Sequence, residues 1–466
     1  MAGAVSEASG PMQSSSPRLE TLGHIWEQRF QQMMDYVCTA HPYYQRVLAR
    51  EGLSRPDFRR LADLRKLPIT TKQQYMMEPE AFRLQVERLP GLTLPERTLW
   101  GAVYTTGSTT GRPTPFYDTS YDNVARIAQM REAAKMAGVG PADVVANCFP
   151  LTAVPHQGFL SALYGPLAVG AKVLTGFTGP SVTPFPVYRS TEEFARLVEQ
   201  HRATVIWGIT SYIRHFVRVA ESLQMDFSSV RLAFVAGEPC PAGMRADLRR
   251  RLTELGAQGT LIQNGYGCTE MQGPTIECAE GGALHVPAAE QYWFEVVDAA
   301  THEPLREGDS GLVLLSHLNR RGTVLLRYAI GDISAIATGR CPSCGREGPR
   351  FVQSPRRGDD LVKIRGTLLN PAVVVEAISS LVGVDDFQLV ATLLQPDDPL
   401  SAEELVIRFT AKVENAGDLT LAIAEKVRDV CEISPRVMYL PHEEFAHLED
   451  AYKFKRFRDA RQTNNR

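Results

Sequence analysis

Tyr104 to Thr114, YTTGSTTGRPT, gathers six Thr or Ser hydroxyls, two glycines and an Arg-Pro within eleven residues. Hydroxyls and backbone amides in a loop that glycine brings close to a ligand can wrap a triphosphate without cationic side chains. A P-loop would place its second Gly and a Lys at the start of a helix. Here Arg-Pro stands in place of Gly-Lys, and TPFYDT, which follows, reads as a strand. The loop therefore falls between two strands, LWGAVY and TPFYD, and a helix begins near Thr119. Taken alone, a Gly/Thr surface turn accounts for these residues equally well.

Three further segments point to the same ligand. NGYGCTE, Asn264 to Glu270, follows the apolar run GTLIQ and so sits just beyond a strand end. There Tyr266 can flank a base, Thr269 can bond a phosphate, and Glu270 supplies the hard oxygen that Mg²⁺ prefers. In RYAIGD, Asp332 after a glycine turn can accept both hydroxyls of a ribose. RRGDDLVKIRG adds Arg357 and two acids. Separately, CPSCG (Cys341, Cys344) and ECAEGGALH (Cys278, His285) offer a Cys₃His set for a structural Zn²⁺ closing a small β unit. Four unrelated reduced residues are the alternative. Cys268, inside the nucleotide motif, has no base beside it in sequence that would make it a nucleophile.

The elements that must hold these residues follow from periodicity. DVVANCFP, AKVLTGF, ATVIWGI and RLAFVAG read as buried parallel strands, with STEEFARLVEQH and SYIRHFVRVAES as crossover helices. Such alternation predicts an α/β wound sheet whose ligands lie beyond the carboxyl ends of its strands. HPYYQRVLAREG and LPITTKQQYMME carry helix starts. From 258 to 355 short strands and turns form a small β unit, and after SPRRGDD the order strand, strand, helix, strand predicts a small α+β lid. The expected organisation is a tail over 1–20, a large domain over 21–356 and the lid over 357–466, with the hinge near 357–360. A chain of 466 residues is long enough for such a division. The composition, 44% hydrophobic and 22% charged with net charge −3, suggests no nucleic-acid or membrane surface. The first twenty residues lack a basic segment followed by an apolar one, and the cysteines are sparse, so a cytoplasmic protein with reduced thiols is expected.

These segments, in this order, resemble the adenylate-forming superfamily of acyl-CoA synthetases, adenylation domains and luciferases, and within it the phenylacetate-CoA ligase branch. The likeness spans about residues 100 to 461 and also includes VPHQGFLSALYGPLAVGAKVL, VAGEPCPAGMR and YKFKRFRDAR. It implies that ATP and a carboxylic acid give an acyl-adenylate and pyrophosphate, after which the acyl group passes to CoA while the lid turns. By the same resemblance, Thr105, Thr106, Ser108, Thr109, Thr110 and Gly111 cradle the β- and γ-phosphates, although the family usually has Gly where Ser108 stands. Gly237, Glu238, Asn264, Gly265, Tyr266 and Gly267 lie along the adenine. His156, Gly208, Tyr212, Gly237, Gly265 and Cys268 line the acid pocket, Arg357 meets ribose or phosphate oxygens, and Asp359 is the hinge acid. Lys453 in AYKFKRFRD is the lid lysine for the α-phosphate by register, with Lys455 close enough to compete. The segment AFVAGE shows no clear acid to grip an α-ammonium, which favours an aromatic acid. The second reading is a stand-alone adenylating enzyme that delivers to a carrier-protein thiol, an amine or another nucleophile; a nucleotide-binding regulator stands behind both. Monomer and homodimer are left open.

Overall fold

The computed structural model describes residues 19–104, 114–150, 157–178, 189–357, 362–364, 367–395, 398, 401–411, 416–431, 433–449 and 454–461. Its centre is a nine-stranded sheet. Strands Lys172–Thr175, Val144–Asn147, Val205–Ile209, Leu232–Ala236 and Leu261–Tyr266 lie side by side and parallel. Residues 205–209 are all buried and, apart from Gly208, carry β-branched or aromatic side chains, as a strand covered on both faces requires. Helices Thr191–Gln200, Thr210–Ser222 and Ala242–Glu254 pack on one face and Ser120–Met136 with Gln157–Ala168 on the other. Trp207 and Phe234 meet at 4.5 Å between centroids within the second of these cores.

Beyond Tyr266 the sheet turns antiparallel. Strands Thr275–Glu277, Leu284–His285, Arg350–Phe351 and Ile336–Ala337 extend it in that order. The expected small β unit over 258–355 is thus divided. Only Tyr292–Val297, Gly311–His317 and Tyr328–Ser334, with Arg356–Arg357 at the edge, form a separate four-stranded sheet. The N-terminal helix Leu19–Ala40 covers that sheet, Trp26 donating to Ala289 O at 2.9 Å and meeting Trp293 edge-on at 5.2 Å. Helix Pro42–Glu51 starts at the predicted proline and ends on Gly52. Helix Lys72–Met77 is capped by Thr71.

The small C-terminal domain has the predicted strands Val384–Leu393, Glu403–Ala411 and Arg436–Tyr439 and the helix Ala416–Cys431. Further elements complete it: the hairpin Val362–Ile364 with Thr367–Leu369, helices Pro371–Ser379 and His442–Glu449, and strand Phe457–Asp459, which pairs parallel to Val384–Leu393. No described helix is long and apolar enough to cross a membrane.

The stem of the hydroxyl-rich loop is an antiparallel hairpin, Leu99–Tyr104 against Pro115–Thr119, and helix Ser120–Met136 follows with Thr119 as its cap. The second strand is anchored by charge. Asp118, fully buried, receives hydrogen bonds from Arg126 and, at 2.5 Å, from Arg320. Asp122 accepts from the backbone N–H groups of Arg321 and Gly322 at 2.9 and 2.7 Å. Gly322 is required there because a Cβ would sit 2.1 Å from Tyr117 O. Removing the carboxylate charge leaves two buried guanidiniums without their partner. Asp118→Asn is therefore expected to lower the unfolding free energy by about 3–5 kcal/mol in denaturant titration; a loss under about 1 kcal/mol contradicts this role.

Candidate active site

Two motifs predicted from sequence meet across the two sheets. Tyr266 ends the last parallel strand, and its hydroxyl donates to Asp332 Oδ2 at 2.5 Å. Asp332 does not follow a turn, as expected from sequence; it lies within strand Tyr328–Ser334. The register slips there between Leu312 and Leu314, and Gly331 adopts φ +88°, so a bulge re-aims the following carboxylate. Arg357, directly opposite Asp332 in the neighbouring strand, pairs with Asp332 Oδ1 at 3.3 Å and donates to Ile330 O at 3.1 Å. Burial and the nearby Asp332 carboxylate push the Tyr266 phenol well above its ordinary range, so it stays a donor. The ring meets Phe351 edge-on at 5.5 Å.

Asn264 and Gly265 belong to the strand itself rather than to a segment beyond its end, and Gly267 is the first residue past it. Thr269 and Glu270 open a single 3₁₀ turn, buried among the small-sheet side chains. Tyr328 donates to Glu270 Oε1 at 2.9 Å, and His317 Nε2 meets Glu270 O at 2.8 Å while its Nδ1 accepts from Leu325 N–H at 3.0 Å. Burial, with Arg320 adding to it, brings the His317 pKa down to about 3, so the ring is neutral and Nε2–H is the donor. Neither supporting residue was read from sequence. Tyr328 stood four places before Asp332 in RYAIGD, whereas no local signal marked His317.

Gly237 follows strand Leu232–Ala236 with φ +78°. Glu238 Oε2 accepts the N–H of Ser211 at 3.0 Å, and Thr210 donates to Glu238 O at 3.2 Å. GITSY therefore splits: Gly208 lies in strand Val205–Ile209 beside Cys148, and Tyr212 lies in the first turn of helix Thr210–Ser222, stacked on Phe216 at 6.5 Å. Thr105, Thr106, Ser108, Thr109, Thr110, Gly111, His156, Asp359 and Lys453 lie outside the described residues.

The Cys/His set also converges. Cys278, His285, Cys341 and Cys344 place their ligand atoms within 4.8 Å of one another. Cys278 and Cys341 sulfurs are 4.0 Å apart, and Cys344 Sγ is 3.3 Å from His285 Nε2. A tetrahedral Zn²⁺ with bonds of about 2.3 Å to sulfur and 2.0 Å to nitrogen asks for edges of roughly 3.5–3.8 Å. The cluster does not close the small β unit, as expected from sequence. It lies at the antiparallel end of the main sheet, where His285 pairs with Arg350. A buried bidentate pair, Arg245 with Glu277 at 2.8 Å twice, holds the same hairpin.

Residues 62–319, more than half of the chain, match the AMP-binding enzyme family, and the chain belongs to it. Within the adenylate-forming superfamily it falls in the phenylacetate-CoA ligase-like branch. It is 26% identical over 450 residues to the phenylacetate-coenzyme A ligase of Thermus thermophilus, covering 91% of this chain and 95% of that one. Its fold resembles 2-hydroxyisobutyryl-CoA ligase in the postadenylation state with R3-HIB-AMP, at a TM-score of 0.75 and 19% identity over 97% of this chain and 94% of that one. The same ligase in the thioesterification state with 2-HIB-AMP and CoA gives 0.57 at 21% identity over 96% and 91%. The protein is thus an AMP-binding enzyme of this family.

Cys268 lies between these acids. Burial first, then Glu270 and Asp332, push its thiol well above the ordinary range. Each unit of upward shift removes about nine-tenths of the reactive thiolate. Alkylation at pH 8, mapped by mass analysis, should modify Cys268 at least about tenfold more slowly than an unstructured cysteine peptide, and unfolding should abolish the difference. Equal rates in the folded protein contradict the assignment.

Proposed function

We propose that this ligase activates an aromatic carboxylic acid lacking an α-ammonium group. One carboxylate oxygen of the acid attacks the α-phosphorus of ATP and pyrophosphate leaves; the thiolate of CoA then attacks the acyl carbon and AMP leaves. The observation that carries the substrate class is the engagement of Glu238. It is the one carboxylate in AFVAGE, and it receives the N–H of Ser211 at a helix start, so it is committed to the fold. Aromatic side chains gather at the same strand ends: Phe149 and Phe177 follow strands Val144–Asn147 and Lys172–Thr175, and Phe159 lies 6.4 Å from Phe177. A flat, uncharged acyl group suits such walls.

In this reading Asp332 accepts the ribose hydroxyls, Arg357 steadies it and reaches nucleotide oxygens, and Tyr266 flanks the adenine. Glu270, a hard oxygen donor held in place by Tyr328, fits Mg²⁺, which accompanies ATP in this family and offsets phosphate charge. The phosphate loop 105–111, the pocket histidine His156, the hinge acid Asp359 and the lid lysine Lys453 complete the proposal. A cation reaching the α-phosphate only in the closed site acts where charge develops. The Cys278–His285–Cys341–Cys344 set would hold a structural Zn²⁺, all four positions being filled by protein.

Pyrophosphate release with a panel of benzoic, phenylacetic, short aliphatic and α-amino acids tests the substrate class. Aromatic acids should exceed amino acids by at least about a hundredfold in kcat/KM, and CoA with mass analysis should give the aryl thioester; preference for an aliphatic or amino acid rejects the proposal. For the metal, purified protein should carry about one zinc per chain. Cys341→Ser should lose it and unfold at lower temperature, whereas a metal-free parent of unchanged stability ends the zinc reading.

A further inference from the structure

Away from the nucleotide crevice, the large and C-terminal domains meet through charge. Helix Thr210–Ser222 presents Arg214 and Arg218 and helix Ala242–Glu254 presents Arg251, and the adjacent carboxylates Asp385 and Asp386 of the C-terminal domain enter between them. Arg214 reaches Asp386 Oδ2 at 2.5 Å. Arg218 lies 3.1 Å from Asp385 Oδ2 and 3.2 Å from Asp386 Oδ2, and Arg251 pairs with Asp385 Oδ1. His442 Nε2 stands 2.9 Å from Asp385 Oδ2, and its Nδ1 lies 3.1 Å from Arg218. On the large domain Asp247 is 2.8 Å from Arg214, and Glu221 is 2.6 Å from Arg251. The Asp385 and Asp386 side chains are only 2% and 3% exposed, so these are buried charges and not a surface pairing.

Two connections tie this cluster to the chemistry. Inside the C-terminal domain, Asp386 Oδ1 also receives Arg456, which donates to Phe387 O at 2.8 Å and lies over Phe387 and Phe454 at 5.1 and 4.9 Å. Arg456 stands three residues after Lys453. Towards the pocket, Arg214 lies one turn into the helix whose Ser211 N–H is received by Glu238. One helix thus runs from the acid-pocket segment to the charge cluster.

We propose that Asp386 is a positioning residue for the first half-reaction: gripping Arg214 and Arg218 on one side and Arg456 on the other, it holds the C-terminal domain against the large domain in the orientation used for adenylation. The clasp opens for transfer to CoA. This rests on the reading of Lys453 as the lid lysine. The choice of charge has a physical reason. A buried ion pair roughly breaks even against hydration of its separated partners, whereas breaking one side alone is costly. Such an interface selects an orientation without trapping it. The large-domain helices hold three guanidiniums (Arg214, Arg218, Arg251) beside two carboxylates (Glu221, Asp247), and Asp385 and Asp386 together with Arg456 bring the one net negative charge that balances them. A cleft of about 630 Å³, bordered by Asp247, Arg250 and 379–383, adjoins the cluster and admits the water that release requires. The better of the two fits to 2-hydroxyisobutyryl-CoA ligase is to its postadenylation form, in keeping with a clasp that belongs to the first half of the cycle.

The test separates the half-reactions in the full-length enzyme. Pyrophosphate release in a single turnover measures adenylation, and CoA added to supplied aryl-AMP measures transfer alone. Asp386→Asn should slow adenylation at least about tenfold while transfer stays within about twofold of the parent. Asp386→Glu should recover most of the adenylation rate, and Arg218→Gln should reproduce the split more weakly. An equal fall in both steps, a fall in transfer alone or parental rates throughout overturns the proposal. Should Asp386→Asn not fold, Arg218→Gln decides by the same criterion. Lys453→Ala is run beside them: if it adenylates at the parental rate, the lid-lysine reading fails whatever the clasp variants do.

Discussion

The arrangement depends on one carboxylate shared between two sheets. Asp332 belongs to the small sheet, yet its oxygens are taken by Tyr266 at the end of the main parallel sheet and by Arg357 where the chain leaves for the C-terminal domain. A buried carboxylate needs such partners, because an uncompensated charge in the interior costs more than the fold can spare. Meeting that need also fixes the spacing between the sheets at the place where parallel strands open their carboxyl ends to a ligand. The bulge at Gly331 is the local distortion that makes the meeting possible.

Paired charge recurs wherever this chain must hold irregular backbone. Asp118 between Arg126 and Arg320 secures the strand that leaves the hydroxyl-rich loop, and Arg245 with Glu277 secures the hairpin that carries Cys278 and His285. In both cases the ions also accept or donate to backbone groups that no regular ladder satisfies, so geometry is specified where hydrogen-bonded sheet cannot specify it. The clasp around Asp385 and Asp386 has the same chemistry at the contact with the C-terminal domain. Elsewhere such pairs maintain one structure; at a domain boundary, water can replace each partner, and the same chemistry becomes reversible.

Apolar packing divides the remaining work. One core lies between the N-terminal helices and the small sheet, two lie on either face of the main sheet, and a fourth fills the C-terminal domain. The C-terminal domain therefore has its own core, and buried charged groups meet at its contact with the large domain.

Read alone, the chain determined the parallel strands, their crossover helices, the helix caps at Thr71 and Thr119 and the order of nucleotide segments, because these rest on short-range periodicity and on residue types whose chemistry is local. It also singled out Cys278, His285, Cys341 and Cys344, whose ligand atoms come within 4.8 Å of one another, and Tyr266 and Asp332, which meet. Which sheet the Cys/His hairpin joins, the bulge that aims Asp332, the support of Glu270 by Tyr328 and His317, and the pairing of Asp385–Asp386 with arginines well over a hundred residues away were decided only by tertiary structure. Each of these joins groups far apart in the chain whose partners are chosen by burial and charge balance, and no local pattern records such a choice.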